Sequence, residues 1–408
     1  MTVPPPPSLL QPPVPPVHVR LHACTDTGRV RPHNEDTFLV ADLEAGAPVS
    51  FQAGPQHATV PPHGLLLLVA DGMGGAASGE LASSMGSAFL LEALLAQWTP
   101  APPAVGTFVE ALRDAVVNAN QRLHHYAMAH PEHRGMGTTM TVAGVLGNQL
   151  YLVQVGDSRG YLVRDGVARQ LTKDQSLIQR LVELGELTAE QAEASTRRNI
   201  ILQALGPEAQ VVVDLTHQPL RDGDLLLLCS DGLSGLVSPD ELAALADAHA
   251  EEAALCDALV ARANARGGHD NITVVVARFH GEGLGPTQPG DAVGYVVYPL
   301  AGTLNDGSVP TALPPGLGAQ LRADPTPRFG TPAPSPEVIA QARAAQAAVR
   351  EAPPAADGPA ALREPVAAVA TETARLEERR ARAFPIQVAL ALLGAAALLW
   401  ALASVLKR

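Results

Sequence analysis

The sequence predicts an α+β fold built on antiparallel sheet, and three observations carry that reading. Apolar runs of strand length occur as neighbours with short turn signals between or after them, at 139–146 and 149–155 around Asn148, and at 160–164 ahead of Asp165-Gly166. Long helical patterns stand apart from these runs, at 79–95, 108–129 and 239–266, with a shorter one at 177–184, and do not alternate with strands as repeating βαβ units would. Two nearly identical strings, Leu65-Leu66-Leu67-Leu68-Val69-Ala70-Asp71-Gly72 and Leu225-Leu226-Leu227-Leu228-Cys229-Ser230-Asp231-Gly232, each deliver a carboxylate at the end of a buried strand.

In chain order, residues 1–17 are proline-rich and read as a disordered or polyproline arm. They lack a cationic start followed by an apolar core, so they do not read as a signal peptide. Residues 18–280 read as one globular block, adding strands at 37–41, 65–70, 225–229 and 272–279 to those above. From 281 to 383 Pro, Gly and Ala dominate and periodicity fades, which reads as linker, with helix-compatible stretches at 336–352 and 366–383. Residues 384–406 carry no charge, and at about 1.5 Å per residue they can cross a hydrocarbon core of about 30 Å as one transmembrane helix. Arg375, Arg379, Arg380 and Arg382 precede that stretch and only Lys407 and Arg408 follow it, so the N-terminal side is expected in the cytoplasm.

Composition removes several classes. A formal net charge of −13 over 408 residues argues against a nucleic-acid binder. Cys24, Cys229 and Cys256 are scattered and odd in number, which suits a reducing compartment and excludes a disulfide framework or a Cys-based zinc site.

The conspicuous junctions carry acid. Arg31-Pro32-His33-Asn34-Glu35-Asp36 precedes a strand, Asp71-Gly72 and Asp231-Gly232 end strands, Gly156-Asp157-Ser158-Arg159 lies between two strands that read as a hairpin, and Asp270-Asn271 precedes the last strand. Converging carboxylates repel and need cations between them. Oxygen-only ligation selects hard ions, Mg²⁺ or Mn²⁺.

These strings resemble the bacterial form of the metal-dependent PPM/PP2C protein serine/threonine phosphatases. The matching segments are Arg31 to Asp36, Ala70 to Gly75, Gly135 to Thr139, Gly156 to Arg159, Leu171 to Ser176, Cys229 to Leu233 and Asp270 to Thr273, in the family's order over 19–279. The resemblance implies an αββα sandwich, two antiparallel sheets flanked by helices, with two metals held between the sheets at one end. It implies that Asp71 bridges two Mn²⁺ or Mg²⁺ ions and that the Gly72 carbonyl ligates one. Asp36, Asp231 and Asp270 would complete the pair, with Glu35 outside them and Asp157 on a third ion. Two ions about 3.5–4 Å apart can activate a water for in-line attack on phosphoserine or phosphothreonine, without a covalent enzyme intermediate. Arg31 matches the phosphate-binding arginine, whose planar fork suits phosphate oxygens. Met73 stands where eukaryotic members carry a histidine, and His33, His130, His133 and His269 are candidates for proton donation on residue type alone. Arg159 reads as structural, Thr138 and Thr139 as packed and hydrogen-bonded within the sheet, and 174–205, with Arg197-Arg198, as a flap beside the site.

The expected activity is therefore hydrolysis of phosphoproteins, reversing a membrane serine/threonine kinase and its substrates, from a catalytic domain held at the cell membrane. Three alternatives stand beside it: a phosphatase of an anti-sigma-factor antagonist, a non-catalytic phosphoprotein-binding scaffold, and a small-molecule phosphohydrolase.

Overall fold

The computed structural model describes residues 15–299, apart from 52–53, 75, 98, 100, 189–190, 193–199 and 289. The fold is set by strands that bury both faces. In β5 (Leu65–Met73) the odd residues Leu65, Leu67 and Val69 pack in a core between two sheets, and the even residues Leu66, Leu68 and Ala70 pack against helices. A strand covered on both sides reads as a continuous apolar run, which is why this string has no polar alternation.

One antiparallel sheet joins β11 (Asp214–Pro219), β8 (Gln149–Val155), β7 (Met140–Leu146), β5, β2 (Asp36–Asp42) and β3 (Ala47–Pro48), with the short β6 (Gly137–Thr138) on β5. The other runs β10 (Val167–Gln170), β9 (Arg159–Arg164), β12 (Leu225–Cys229), β13 (Ile272–His280), β1 (His18–Asp26) and β4 (Gln56–Thr59). Helices α1 (Ala76–Ala96) and α2 (Val105–Ala129) cover the first sheet through Leu90, Leu94, Phe108 and Leu112. The second sheet is covered by α5 (Pro239–Ala248) and α6 (Glu252–Ala265), through Leu242, Leu255 and Leu259. Two short helices, α3 (Leu177–Glu183) and α4 (Asp231–Ser234), lie in connections. The result is helix, sheet, sheet, helix, each fully buried leucine stabilising the fold by about 1.5–3 kcal/mol.

Several expectations are corrected. Residues 156–159 do not turn a hairpin: β8 pairs with β7 and β11, β9 with β10 and β12, so the chain crosses here from one sheet to the other. Gly156, at φ 103°, makes that crossing, and a Cβ there would press on the Thr139 side chain at 2.7 Å. The helix expected over 239–266 is two, because His249 leaves helical geometry (φ −123°, ψ 105°) before Glu252, which is buried against Arg20 and Arg278. β5 runs past Ala70, so Asp71 lies within a paired strand, opposite Asp36. Strands β1, β3, β4, β6, β10 and β11 are not among those the sequence predicts, and residues 291–298, expected as linker, hydrogen-bond to the domain. The two-residue turns at Gly147-Asn148 and Asp165-Gly166 form as expected, with Asp165 and Gly166 at φ 50° and 73°.

Among the described residues no helix is long and apolar enough to cross a membrane. The stretches 1–14, 300–383 and 384–406, and Arg197-Arg198, lie outside the described residues.

Candidate active site

Strand parity aims the acids. In β2, Val40 faces the core between the sheets, so Asp36, two steps of two earlier, faces the same way. In β5 the parity of Leu65, Leu67 and Val69 carries Asp71 into that layer, directly opposite Asp36. The sheet crossing at 156–158 brings buried Asp157 to the same end, α4 opens on Asp231, and Asp270 lies just ahead of β13. Asp71 feels the charges of the other four. Burial first, then the charges of Asp36, Asp231, Asp157 and Asp270, push the Asp71 carboxyl well above the carboxylate range. Burial pushes Asp36 up to about 7, against hydrogen bonds from Ser230 and Thr273 that favour its charged form. Burial, then Asp231 and Asp174, raises Asp157 likewise.

Local hydrogen bonds hold each acid in place. Ser230 Oγ donates to Asp36 Oδ2 at 2.7 Å, and Asn34 Oδ1 accepts the Asp36 N–H at 3.1 Å. The Thr139 hydroxyl accepts the Asp71 N–H at 2.9 Å, and Thr138 Oγ1 donates to the Asp71 carbonyl at 3.0 Å. Thr138 and Thr139 thus do what was expected of them. Gln154 Nε2 reaches the carbonyls of Gly156 and Ser158 at 3.0 and 2.7 Å, which fixes the loop carrying Asp157. At Gly72 a Cβ would fall on the Gly79 carbonyl and within 2.6 Å of the Glu35 carbonyl, so only glycine lets these backbones meet.

Arg31 donates to Asp270 Oδ2 at 2.7 Å, and that hydrogen bond raises its pKa. Its guanidinium is half exposed at the rim. Glu35 is outside the acid cluster, its carboxyl raised by burial, with its backbone N–H on Asn271 Oδ1 at 2.9 Å. Arg159 is structural, gripping Asp174 through Nε at 2.9 Å and Nη2 at 2.6 Å. Among the histidines, His130 stacks on Tyr126 and His133 meets Ser78 Oγ at 3.1 Å.

Sequence reasoning missed the residues that do the holding. Asn271 accepts from Glu35 and donates to the carbonyls of Thr27 and His33 at 3.0 and 2.9 Å, stapling the 31–36 loop to the end of β13. Gln154, inside an apolar strand, and Ser230, just past the end of one, escaped for the same reason: a polar side chain there shows its purpose only once its partner is known. The signal that could have found them was their position, a polar residue within three positions of an acid at a strand end.

The residues present fit a pair of hard divalent cations. The donors are all oxygen, and Asp36 Oδ1 and Asp157 Oδ1 are buried without a hydrogen-bond partner among the described residues. Among the described residues no group of three or more acids, imidazoles or thiols stands in ligating geometry. Arg31 engages Asp270.

The family model for Protein phosphatase 2C matches residues 56–266, just over half of the chain. The chain is 37% identical over 254 residues to the serine/threonine phosphatase stp of Listeria monocytogenes, covering 62% of this chain and 92% of that protein. It is 40% identical over 271 residues to the serine/threonine protein phosphatase PstP of Mycobacterium tuberculosis, covering 66% of this chain but 47% of PstP. The structure of the catalytic domain of PstP in complex with two manganese ions superposes with a TM-score of 0.53 at 36% identity, over 65% of this chain and 99% of that one.

Proposed function

The chain belongs to the protein phosphatase 2C family and is a Mn²⁺/Mg²⁺-dependent protein serine/threonine phosphatase, and from that premise we propose which residues act and where. Asp36, Asp71, Asp231 and Asp270, with the Gly72 carbonyl, hold the two ions, and Asp157 takes part in a third site. The observation that carries this is the meeting of five carboxylates at one end of the sandwich, two of them with buried oxygens that find no partner among the described residues. When bound, the ions neutralise the acids and supply an activated water and charge stabilisation at phosphorus. The chain's own residues do the rest. Asp71 is fixed by Thr138 and Thr139, Asp36 by Ser230, and the Asp157 loop by Gln154. Arg31 leaves Asp270 to take two oxygens of the substrate phosphate, a geometry its fork favours. Asp231→Asn should lose both phosphate release from a phosphoserine peptide and the rise in melting temperature that Mn²⁺ gives the wild type. A variant that keeps both removes Asp231 from this account.

We further propose that 384–406 anchors the chain in the cell membrane, with the phosphatase domain in the cytoplasm, where it reverses a membrane serine/threonine kinase. An uncharged run of that length, with four arginines before it, supports this. The full chain should fractionate with membranes and resist carbonate extraction. Protease added outside intact cells should leave the domain whole; its digestion there would refute the orientation.

A further inference from the structure

The chain stays on the domain well past the end of β13. Asp291 pairs with Arg221 at 2.7 and 3.1 Å, and Gln218 Nε2 donates to the Ala292 carbonyl at 3.1 Å. Val296 and Tyr298 then lie along β11: His217 N donates to the Val296 carbonyl and Tyr298 N to the Leu215 carbonyl, both at 2.9 Å, around an antiparallel bridge between Thr216 and Val297. The Tyr298 ring stands edge-on to Tyr151 and His217. Residues 291–298 are thus a strap over the outer edge of the first sheet.

The middle of the strap touches the segment beside the acids. Tyr295 Oη lies 2.8 and 2.7 Å from the two oxygens of the buried Asp214 carboxylate. Lys173 Nζ sits 4.6 Å from the centroid of the Tyr295 ring and 3.2 Å from Glu183 Oε1, at the end of α3. The two residues after Lys173 reach the other way. Asp174 takes Arg159, and Gln175 Oε1 accepts the Gly156 N–H at 2.8 Å, on either side of Asp157. The far end of the same segment returns at Leu205, which exchanges backbone hydrogen bonds with Thr138 beside Asp71. Between Lys173, Glu183 and Asp214 lies a cavity of about 10 Å³, room for a single water.

We propose that Tyr295 and Lys173 are positioning residues for the phosphatase reaction: the strap sets where α3 stands beside the acid cluster, and so how tightly a protein substrate is held. A helix of seven residues is not stable by itself, and α3 buries only Leu177, Ile178 and Leu181, so its place depends on what grips its ends. The Ser176 cap and backbone bonds to 200–202 hold the N-terminal end, and Lys173 grips the C-terminal end through Glu183. Its ammonium is drawn to the face of the Tyr295 ring and to Glu183 together, which restrains an otherwise mobile side chain. Residues that follow the domain are thereby coupled to its mouth.

The test uses the full chain with Mn²⁺ and takes its kinetic readout from the phosphatase reading. In Tyr295→Ala and in Glu183→Gln, KM for a phosphoserine peptide should rise about three- to tenfold while kcat stays within about twofold. Constants for p-nitrophenyl phosphate, which is too small to reach α3, should not change. The double variant should be no worse than the worse single, because both cut one link. Amide exchange across 177–187 should quicken in Tyr295→Ala, a readout that needs no activity. Equal losses on both substrates, or an unchanged KM with unchanged exchange, would overturn the proposal. A wild-type chain that releases phosphate from neither substrate would instead sink the phosphatase reading, leaving exchange to decide this one. If Tyr295→Ala does not fold, Glu183→Gln, at the solvent-facing end of the same link, carries the test.

Discussion

Residues 65–71 and 225–231 each run four leucines, two smaller residues and an aspartate, and each forms an interior strand of its own sheet. In the first, Leu65, Leu67 and Val69 face the other sheet. In the second, that layer receives Leu226 and Leu228, while Leu225, Leu227 and Cys229 face the helices. The two strings are thus used on opposite faces. Asp71 has inward parity and remains in a paired strand through Met73. Asp231 would point away if β12 continued, and the strand instead ends at Cys229 and turns into α4. Ser230, its inward neighbour, carries the contact with Asp36. One carboxylate reaches the mouth by register, the other by breaking the strand.

The largest test of that difference is charge removal. Asp71→Asn should cost about three orders of magnitude in kcat, since the acid at the centre of the cluster loses its charge but keeps its shape. Asp231→Asn, approached from a helix start rather than from within the sheet, should cost less. Metal-free Asp71→Asn should also melt higher than metal-free wild type, because a carboxyl that ionises freely in the unfolded chain but is disfavoured as an anion in the fold has gone. Equal kinetic losses with no change in melting would erase the distinction. Next in size is Arg31→Ala, expected to raise KM about tenfold with a smaller fall in kcat. If kcat collapses and KM holds, the pair with Asp270 matters more than phosphate binding.

Much of this was legible because the site is written in local strings. Asp36, Asp71, Asp157, Asp231 and Asp270 each sit at a junction the sequence marks, and the structure brings all five together. What was not legible was long-range. The pairing of β8 and β9 depends on partners far along the chain, so a tight turn between two strands read as a hairpin although it joins different sheets. β1, with its His18-Val19-Arg20-Leu21-His22 alternation, is legible by period two. The break at His249–Glu251 could not be read from helix propensity, since it is set by Arg20 and Arg278 reaching Glu252 from strands β1 and β13.

A smaller effect comes from protons. Asp36, pushed up to about 7, binds a proton in the folded state at pH values where the unfolded chain, near 3.8, has lost it. The folded state therefore holds more protons across about pH 4 to 7, and stability falls as pH rises through that window. Without metal, melting temperature should rise as pH is lowered from about 8 to about 5. Asp36→Asn should flatten the rise, and added Mn²⁺ should reverse the trend, because cations bind the deprotonated acids. A metal-free protein that melts lower at pH 5 than at pH 8 would contradict the burial assigned to these groups.

The finest test exchanges the residues just before the two aspartates. Ala70 and Ser230 occupy the same place in their strings, yet Ala70 faces the helices and Ser230 the space between the sheets. Ala70→Ser would bury a hydroxyl in an apolar layer and should destabilise by about 1–3 kcal/mol with little effect on catalysis. Ser230→Ala removes one donor from Asp36 Oδ2 and the acceptor of the Thr273 N–H, at 2.7 and 3.0 Å, and should cost about 1 kcal/mol. It also removes an interaction that favours charged Asp36, so the pH dependence of melting without metal should move to higher pH. Ala70→Ser should leave that dependence where it is. If both substitutions shift it, or neither does, the two strings are not being read from opposite faces.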